Sequence, residues 1–494
     1  MSKRNTVVFA MSLAITFMMM VGKPVYGIAK SGSAFAQAMK SQAPQQTLDD
    51  LFAAVARQVP EFGGMFLGDN EETLQVYLSV VSPTKVVAVQ KAIVAVFGTS
   101  VIPKGGVKAL QGQYGFLQLK DWYDRMTGPI LRVSGVTFTD IAEGRNHLAI
   151  GIGKPEVESR VIEQLQKLAI PRESVVIELS GPIETLTHTV RMPNSMSPWP
   201  YLRAGGYILT RLLCNQTGVG ISQATLGFNI IGPSLGAGFV TASHATAAWW
   251  RLDTIAGFPP ADFYQASGYY PPHLVGRETV DPHGFTGGAC PTGLICRYSD
   301  SAFVRYNSNV KFGVGHIART TGITTSVTSP ILTIDHGGSP SGEFLIVAAP
   351  SVPYLTGLTL NKVGHYTGWT QGKIQMTNAN FSQIPSAYIQ VGCPGGLADP
   401  TMPPAGATLL SQYVVGDPTN DVVHSGDSGS PVFRSLKGLA LRRAELYGIV
   451  WAGFAGTYKQ FIFSPIGGVP FQPTGVKTDL PPFRYCDASA SPPC

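Results

Sequence analysis

The sequence predicts an all-β fold for the second part of the chain, from about residue 203 onward, and a mixed α+β fold before it. Charged residues make up only 13% of the 494 residues, about half the ~25% usual in soluble domains. The 56 glycines and 37 prolines exceed the usual ~7% and ~5%, and they separate short apolar stretches in the second part. Short strands between frequent turns are typical of a β-barrel or β-sandwich. The net charge of +6 is spread along the chain, so no nucleic-acid partner is predicted.

Residues 1–36 have the pattern of a secretory signal peptide. Two basic residues precede an apolar run at 6–22, and small-residue cleavage sites follow at 25–27 or 34–36. A membrane anchor is the alternative interpretation, but the run is shorter than the ~20 residues that span a bilayer. We therefore expect a secreted, extracellular protein that has no membrane association after signal removal.

Export makes disulfides the expected state of the six cysteines. Cys290 and Cys296 bracket a short loop, and we expect a bridge between them. His283 lies nearby in sequence, but no paired spacing typical of zinc sites accompanies it, so no metal site is predicted. The cysteines whose pairing stays open, with three possible connectivities, are Cys214, Cys393, Cys486 and Cys494.

Helices and strands alternate in the part before residue 200. Thr47 and Asp50 form a capping-box pattern for a helix that Pro60 ends, and Ser82 with Pro83 opens a second helix. The further predicted elements are a strand at 74–80, a hairpin of strands at 136–141 and 147–152, a helix at 155–168 and a strand at 175–179. This order indicates two small α+β units in tandem, and no catalytic groups are concentrated in them.

A linker is predicted at Ser195–Pro200, because its two prolines resist both helix and sheet. Beyond it, a helical period is possible around Leu436–Leu446. We expect proteolytic maturation near residues 195–204.

The strongest motif is Gly426–Pro431, with the sequence Gly-Asp-Ser-Gly-Ser-Pro. A serine between glycines in a tight turn presents its hydroxyl and directs consecutive backbone N–H groups into one space. Such donors stabilise the oxyanion of a tetrahedral intermediate by ~2.7–4 kcal/mol each. The motif therefore predicts Ser428 as a nucleophile.

A nucleophilic serine needs a base and a carboxylate that orients the base. His244 ends an apolar strand and a small-residue turn at 239–244, and it is the candidate base. Asp300 directly precedes a predicted strand at 301–304, which places its carboxylate at a fixed strand edge. The competing aspartates are Asp253, Asp281 and Asp335.

The order His, Asp, Ser along the chain differs from the orders found in α/β-hydrolases and subtilisins. It is the order of chymotrypsin-like serine proteases. Residues 203–494 resemble that family, and the matching segments are Thr241–His244, Asp300–Val304, Gly426–Pro431 and Gly448–Val450. The N-terminal half resembles the pro-region of secreted α-lytic-protease and streptogrisin relatives in the segments 59–65, 73–78 and 140–148.

The resemblance implies a signal peptide at 1–36, an α+β pro-region at 37–200 and a protease domain at 201–494 with an all-β double β-barrel fold. It implies that His244 acts as general base and then acid, that Asp300 orients it, and that Ser428 forms the acyl-enzyme. The N–H groups of Gly426 and Ser428 form the implied oxyanion hole. In such relatives the pro-region inhibits the enzyme and assists its folding before it is cleaved off. No cofactor is implied.

Several positions depart from the family pattern. Ala224 and Ala245 replace a pair of cysteines that often form a bridge beside the histidine, so both partners are lost together. Ser430 replaces a glycine. The strand that lines the cleft carries Trp451 where relatives usually have a serine, so a hydroxyl near the aspartate is lost and an indole is able to narrow the cleft.

Substrate contacts are expected from Val450, Trp451 and Gly453 of the cleft strand, and from Val422. Val422 lies at the position where trypsin-like members of the family carry the aspartate that selects Lys or Arg. The resemblance therefore implies a preference for an uncharged, apolar or small side chain. Asp427 is expected to pair either with a new N-terminus or with an internal arginine.

These observations predict a secreted serine endopeptidase that is made as an inactive precursor and is a monomer. Its substrates are polypeptides, and its own pro-region is an intramolecular inhibitor and chaperone. One alternative is a catalytically inactive relative that serves as a binding or decoy protein. Another is an esterase that uses the same three residues.

Overall fold

The computed structural model describes residues 46–68, 70–186, 202–204, 207–214, 218–246, 260–265, 273–335, 342–382, 407–436, 442–487 and 494. The signal peptide predicted at 1–36 and the linker predicted at 195–200 lie outside these residues. Within the described ranges, no helix is long and apolar enough to cross a membrane.

The described residues before 187 form helices and strands in alternation. The helices are α1 Leu48–Gln58, α2 Pro83–Phe97, α3 Phe116–Leu131 and α4 Glu158–Lys167. The strands are β1 Phe62–Leu67, β2 Leu74–Leu78, β3 Val107–Gln111, β4 Val136–Ala142, β5 His147–Ile152, β6 Val175–Leu179 and β7 Ile183–Thr185. The predicted capping box is present, since Thr47 Oγ1 accepts from Asp50 N at 3.3 Å and Asp50 Oδ2 accepts from Thr47 N at 2.9 Å.

The predicted β4–β5 hairpin is also present, with Ala142 opposite His147. Helix α3 was not predicted. Its N-cap is Gly115, which makes no side-chain capping bond, and Pro129 lies inside it. Without these start and continuation signals, only its buried apolar face marks it as a helix.

The described residues after 201 are almost entirely β-strands. They are β8 Leu202–Ala204, β9 Tyr207–Cys214, β10 Gly218–Thr225, β11 Phe228–Gly232, β12 Gly236–Thr241, β13 Asp262–Gln265, β14 His273–Val280, β15 Ile295–Arg297, β16 Ala302–Tyr306, β17 Phe312–Ala318, β18 Glu343–Ala348, β19 Thr359–Gly364, β20 Gly368–Ser382, β21 Ala407–Gly416, β22 Pro431–Ser435, β23 Arg443–Phe454 and β24 Gln460–Pro465. One short helix, α5 Val476–Asp479, follows.

The possible helix around Leu436–Leu446 is wrong from Arg443 onward, where β23 begins. This strand is buried from Ala444 to its end. A strand buried on both faces has a continuous apolar run, which periodicity alone does not distinguish from a buried helix.

Two large sheets carry the described strands of the second half. A seven-stranded sheet has the order β10-β9-β13-β14-β16-β12-β11. A fourteen-stranded sheet contains the path β15-β21-β24-β23-β22-β19-β20-β4-β5-β6. The second path crosses from one half of the chain to the other where Phe381 of β20 lies opposite Phe138 of β4.

Two disulfides lie among the described residues. The predicted bridge between Cys290 and Cys296 is present, with the Cα atoms 5.6 Å apart. Cys486 and Cys494 form the second, with a Cα separation of 5.3 Å. Cys393 and the side chain of Cys214 lie outside the described residues.

Candidate active site

Strands β12 and β16 bring His244 and Asp300 together. The two strands pair antiparallel with Thr241 opposite Ala302, so the end of β12 lies beside the start of β16. His244 lies in a 3₁₀ turn directly after β12, and Asp300 lies directly before β16. The Ser243 backbone N–H donates to the Asp300 carbonyl at 3.2 Å and holds the two segments in register.

His244 contacts both Asp300 and Ser428. Its backbone N–H donates to Oδ1 of Asp300 at 3.2 Å, and its ring Nδ1 hydrogen-bonds Oδ2. Asp300 has no exposed surface, and only 8% of His244 is exposed. A carboxylate at Nδ1 holds the proton on that nitrogen and leaves Nε2 as the acceptor. Nε2 lies 2.7 Å from Oγ of Ser428.

Glycines give the Ser428 turn its shape. Gly426 has a φ of +105°, and a Cβ there would lie 2.6 Å from Cε1 of His365. Gly429 has a φ of +89°, and a Cβ there would lie 2.1 Å from the Thr225 carbonyl oxygen. Other residues rarely adopt these conformations, and the space beside both Cα atoms is already filled. Glycine is therefore required at both positions.

Neighbouring strands hold the turn in place. The Thr225 N–H at the end of β10 donates to the Ser428 carbonyl at 2.7 Å. The Gly429 N–H donates to the Val450 carbonyl of β23, also at 2.7 Å. The turn therefore lies where the two large sheets meet.

Asp427 of the same turn pairs with Lys362 of β19. Nζ lies 2.9 Å from Oδ2, and the Thr367 hydroxyl donates to that oxygen at 2.7 Å. The backbone N–H groups of Tyr366, Thr367 and His424 donate to the same carboxylate. Burial acts to raise the pKa of Asp427, but the Lys362 charge and the hydrogen bonds outweigh it, so the pKa is lowered. The partner is therefore a lysine, where the sequence analysis expected an N-terminus or an arginine.

The competing aspartates have other partners or lie outside the structure. Asp335 pairs with Arg319. Asp253 is outside the described residues. Across the part of the chain that the structure describes, no group of His, Cys, Asp or Glu is arranged to hold a metal ion.

Asp281 supports the turn that carries the histidine. Its Oδ1 accepts from the Ser243 hydroxyl at 2.8 Å and lies 3.0 Å from Nη1 of Arg297, and both charged side chains are fully buried. Burial raises the pKa of Asp281 to about 7, and the Arg297 charge opposes that rise. This network was not predicted, because no sequence motif surrounds Arg297.

Two of the four residues predicted to bind substrate, Val422 and Val450, lie in one apolar cluster and are fully buried. Leu186 of the N-terminal half belongs to the same cluster. A Cβ at Gly453 would lie 3.4 Å from Cδ2 of Leu186, so this glycine borders the same space. Trp451 alternates to the other face of β23, and its indole belongs to a separate apolar cluster.

Ser464 of β24 supplies a hydroxyl beside Asp300. The Asp300 backbone N–H donates to its Oγ at 2.9 Å, and Oγ donates to Oε1 of Gln412 at 2.8 Å. The indole N–H of Trp451 donates to the same Gln412 oxygen at 2.9 Å. A hydroxyl on a neighbouring strand therefore binds the backbone of Asp300.

The end of the described N-terminal half lies along β23, the strand expected from the sequence to line a cleft. β7 pairs antiparallel with β23, with Glu184 opposite Gly453. Two residues after Glu184, the carbonyl oxygen of Leu186 accepts a hydrogen bond from the Gly426 N–H. The Gly426 N–H, which is predicted to form part of an oxyanion hole, thus binds a carbonyl of the chain itself. No motif marks Leu186, so sequence reasoning missed it.

Several solved structures that the chain resembles are serine proteases. They include a Nocardiopsis protease, NAPase, at 18% identity, covering 54% of this chain and 93% of that chain with a TM-score of 0.29. A glutamic acid specific serine protease matches at 18% identity over 54% of this chain and 94% of that chain, with a TM-score of 0.28. An α-lytic protease homolog, N4, matches at 15% identity over 54% of this chain and 93% of that chain, with a TM-score of 0.30. The chain matches no protein-family model and no curated protein. Because these TM-scores and identities are low, the function proposed below rests on the contacts of His244, Asp300 and Ser428.

Proposed function

We propose that the protein is a secreted serine endopeptidase of the chymotrypsin-like kind, with a double β-barrel protease domain and an inactive precursor. The observation that carries the proposal is the row of hydrogen bonds from Asp300 through His244 to Ser428. A serine hydroxyl becomes a nucleophile at neutral pH when a base accepts its proton and a carboxylate orients that base.

In the proposed reaction, Oγ of Ser428 attacks the carbonyl carbon of the substrate and its proton moves to Nε2 of His244. Asp300 stabilises the imidazolium that forms. The N–H groups of Gly426 and Ser428 stabilise the negative charge on the substrate oxygen, which is worth ~2.7–4 kcal/mol per donor. His244 then protonates the leaving amine, and water hydrolyses the acyl-enzyme by the same proton transfers.

We also propose a signal peptide at 1–36, a pro-region at 37–200 and a protease domain at 201–494. The mature enzyme is extracellular and monomeric and acts on polypeptides. The pro-region inhibits the enzyme and assists its folding. The pairing of β7 with β23 supports the inhibitory role, because β7 occupies the place of a substrate strand.

Fluorophosphonate labelling of Ser428 tests the proposal. We expect the purified, self-processed protein to be labelled and to hydrolyse peptides, and we expect Ser428→Ala to abolish labelling and to lower kcat by ~10³-fold or more. Ser329→Ala, at an exposed serine, is the matched control and keeps both properties. Folded, processed protein that is neither labelled nor active would favour an inactive binding protein. Hydrolysis of esters without hydrolysis of peptides would favour an esterase.

A further inference from the structure

A buried arginine links the two segments that carry His244 and Asp300. Nη1 of Arg297 donates to the Ser243 hydroxyl oxygen at 3.2 Å, and Ser243 directly precedes His244. Nη2 of Arg297 donates to the Ser301 carbonyl oxygen at 2.6 Å, and Ser301 directly follows Asp300. Because a guanidinium presents its N–H donors in a rigid planar fork, this one side chain fixes the two segments relative to each other.

Asp281 supplies the negative charge beside this arginine. Its Oδ1 lies 3.0 Å from Nη1 of Arg297, and its two carboxylate oxygens accept from the Ser243 hydroxyl at 2.8 Å and 2.9 Å. Arg297 has no exposed surface, and only 4% of Asp281 is exposed. The carboxylate charge therefore offsets the high cost of burying a guanidinium at this point. We call Ser243, Asp281, Arg297 and Ser301 the arginine clamp.

Two other buried acids near the arginine clamp do not replace Asp281 as the partner of Arg297. Burial raises the pKa of Glu278 to about 8, so this group carries little charge at the pH where Asp281 ionises. Asp479 lies 4.0 Å from Nε of Arg297, and it accepts a hydrogen bond from the Ser299 hydroxyl at 2.6 Å. Burial also raises the pKa of Asp479. The remaining titratable groups close to the clamp in sequence are His244, His283, Tyr298 and Asp300.

We propose that the arginine clamp positions His244 between Asp300 and Ser428, and that the clamp holds only while Asp281 is ionised. The inference rests on the proposed function and adds Ser243, Asp281 and Arg297 as positioning residues. A protonated Asp281 leaves the buried guanidinium without its counter-charge and binds the Ser243 hydroxyl less strongly. The turn that carries His244 then loses its fixed place, and a displacement of ~1 Å in an active site costs ~10²-fold in rate.

The arginine clamp makes activity depend on two protons as the pH falls. One proton binds Nε2 of His244 and removes the base. The other binds Asp281, because burial raises the pKa of this carboxyl to about 7. When each of two groups must be deprotonated, the logarithm of the rate falls with a limiting slope of two per pH unit, whereas loss of the histidine base alone gives a slope of one.

The rate of fluorophosphonate labelling of the self-processed protein, measured from about pH 5 to about pH 8, tests the clamp. Asp281→Asn carries the neutral group permanently. We expect it to be labelled about 10- to 100-fold more slowly than wild type near pH 8 and at nearly the wild-type rate near pH 5. Its slope should be one, where wild type approaches two. Asp335→Asn breaks a different aspartate–arginine pair, with Arg319, and as the matched control should keep the wild-type rate and slope.

Ser243→Ala tests the inference even where Asp281→Asn fails to fold. It keeps the Asp281–Arg297 pair and removes only the hydroxyl through which the pair holds the His244 turn. We expect kcat for peptides to fall about 10-fold with KM unchanged, and the slope of the labelling rate to be one. A wild-type slope of one, or a Ser243→Ala enzyme as fast as wild type, would overturn the inference and leave the protease function intact. A wild type inert toward both the probe and peptides would overturn the proposed function as well.

Discussion

The Asp427 carboxylate is the charge closest in sequence to the proposed nucleophile, and Lys362 balances it. Both side chains are fully buried and lie 2.9 Å apart. A buried ion that loses its partner costs ~3–5 kcal/mol, far more than a surface ion pair contributes. The shape of the Ser428 turn therefore depends on a lysine that lies 65 positions earlier in the chain.

Lys362→Met keeps the length of the side chain and removes its ammonium group. We expect the free energy of unfolding to fall by ~3–5 kcal/mol, because Asp427 is left buried without a counter-charge. We expect kcat to fall more than KM rises, since the Gly426 N–H loses its direction. Urea unfolding and steady-state kinetics measure the two effects. Lys311→Met, at an exposed lysine, is the control, and a variant as stable as wild type would contradict this account.

The residues of the site differ in how well the sequence predicts them. Ser428 and its turn are predicted by the hexapeptide Gly426–Pro431, because a serine between glycines at that spacing is typical of a nucleophile in a tight turn. His244 and Asp300 follow from the strands that precede and follow them. Ser464 and Leu186 were not predicted, because their roles arise from contacts with residues more than a hundred positions away, as between Ser464 and Asp300 at a separation of 164.

At the scale of elements, α1 and β4 hold a group of buried carboxylates against β20. We call Asp49, Asp140 and Glu143 the acid cluster. Asp49 accepts from Nδ2 of Asn378 at 2.7 Å, and Glu143 accepts from the Thr377 hydroxyl at 2.7 Å. Burial raises the pKa of Asp49 to about 7 and the pKa of the other two carboxyls well above their ordinary values. The other titratable groups that act on the acid cluster are Asp50, Lys120, Tyr123, Asp124, Arg145, Glu178 and Tyr413.

The acid cluster should make stability fall as pH rises. The folded protein keeps protons that the unfolded chain releases. The share of this penalty that belongs to Asp49 is absent below about pH 4 and grows until about pH 7. We make the test in a Ser428→Ala background. There Asp49→Asn should leave the free energy of unfolding nearly unchanged near pH 4 and raise it by about 1–4 kcal/mol near pH 7. Asp121→Asn, at an exposed carboxylate of α3 that pairs with Arg125, is the control. Urea unfolding at both limits measures the difference, and a pH-independent effect of Asp49→Asn would contradict the expectation.

The elements themselves were predicted where local signals are strong. The capping box of α1 and the β4–β5 hairpin are read directly from Thr47, Asp50 and the polar turn that ends at Asn146. β7 and the pairing of β20 with β4 were not predicted, since strand partners are set by long-range packing. The acid cluster was missed for the same reason: its three carboxylates are dispersed in sequence and meet only in the folded chain.

At the scale of the whole molecule, one sheet joins both halves of the chain. β20 pairs with β4 at Asn380 and Phe381, and the side chain of Asn380 donates to the Tyr123 hydroxyl at 2.9 Å. Glu71 accepts a hydrogen bond from the Thr359 backbone N–H at 2.8 Å. Cleavage near residues 195–204, as expected from the sequence, breaks none of these contacts. The N-terminal half is therefore held after the cut by the sheet and the acid cluster, and its departure is a separate step.

The pairing of β7 with β23 within one chain also bears on the kinetic order of maturation. The Lys362–Asp427 pair is internal, so the Ser428 turn does not require a new amino terminus before it forms. The proposed nucleophile and β7 thus belong to one molecule, and we expect the cut near residues 195–204 to be unimolecular. Its half-time should stay constant when the precursor is diluted a hundredfold, as followed by gel densitometry, whereas a half-time that lengthens with dilution would show that one molecule cuts another. Maturation then proceeds at the same pace in a dilute secretion as in a concentrated one.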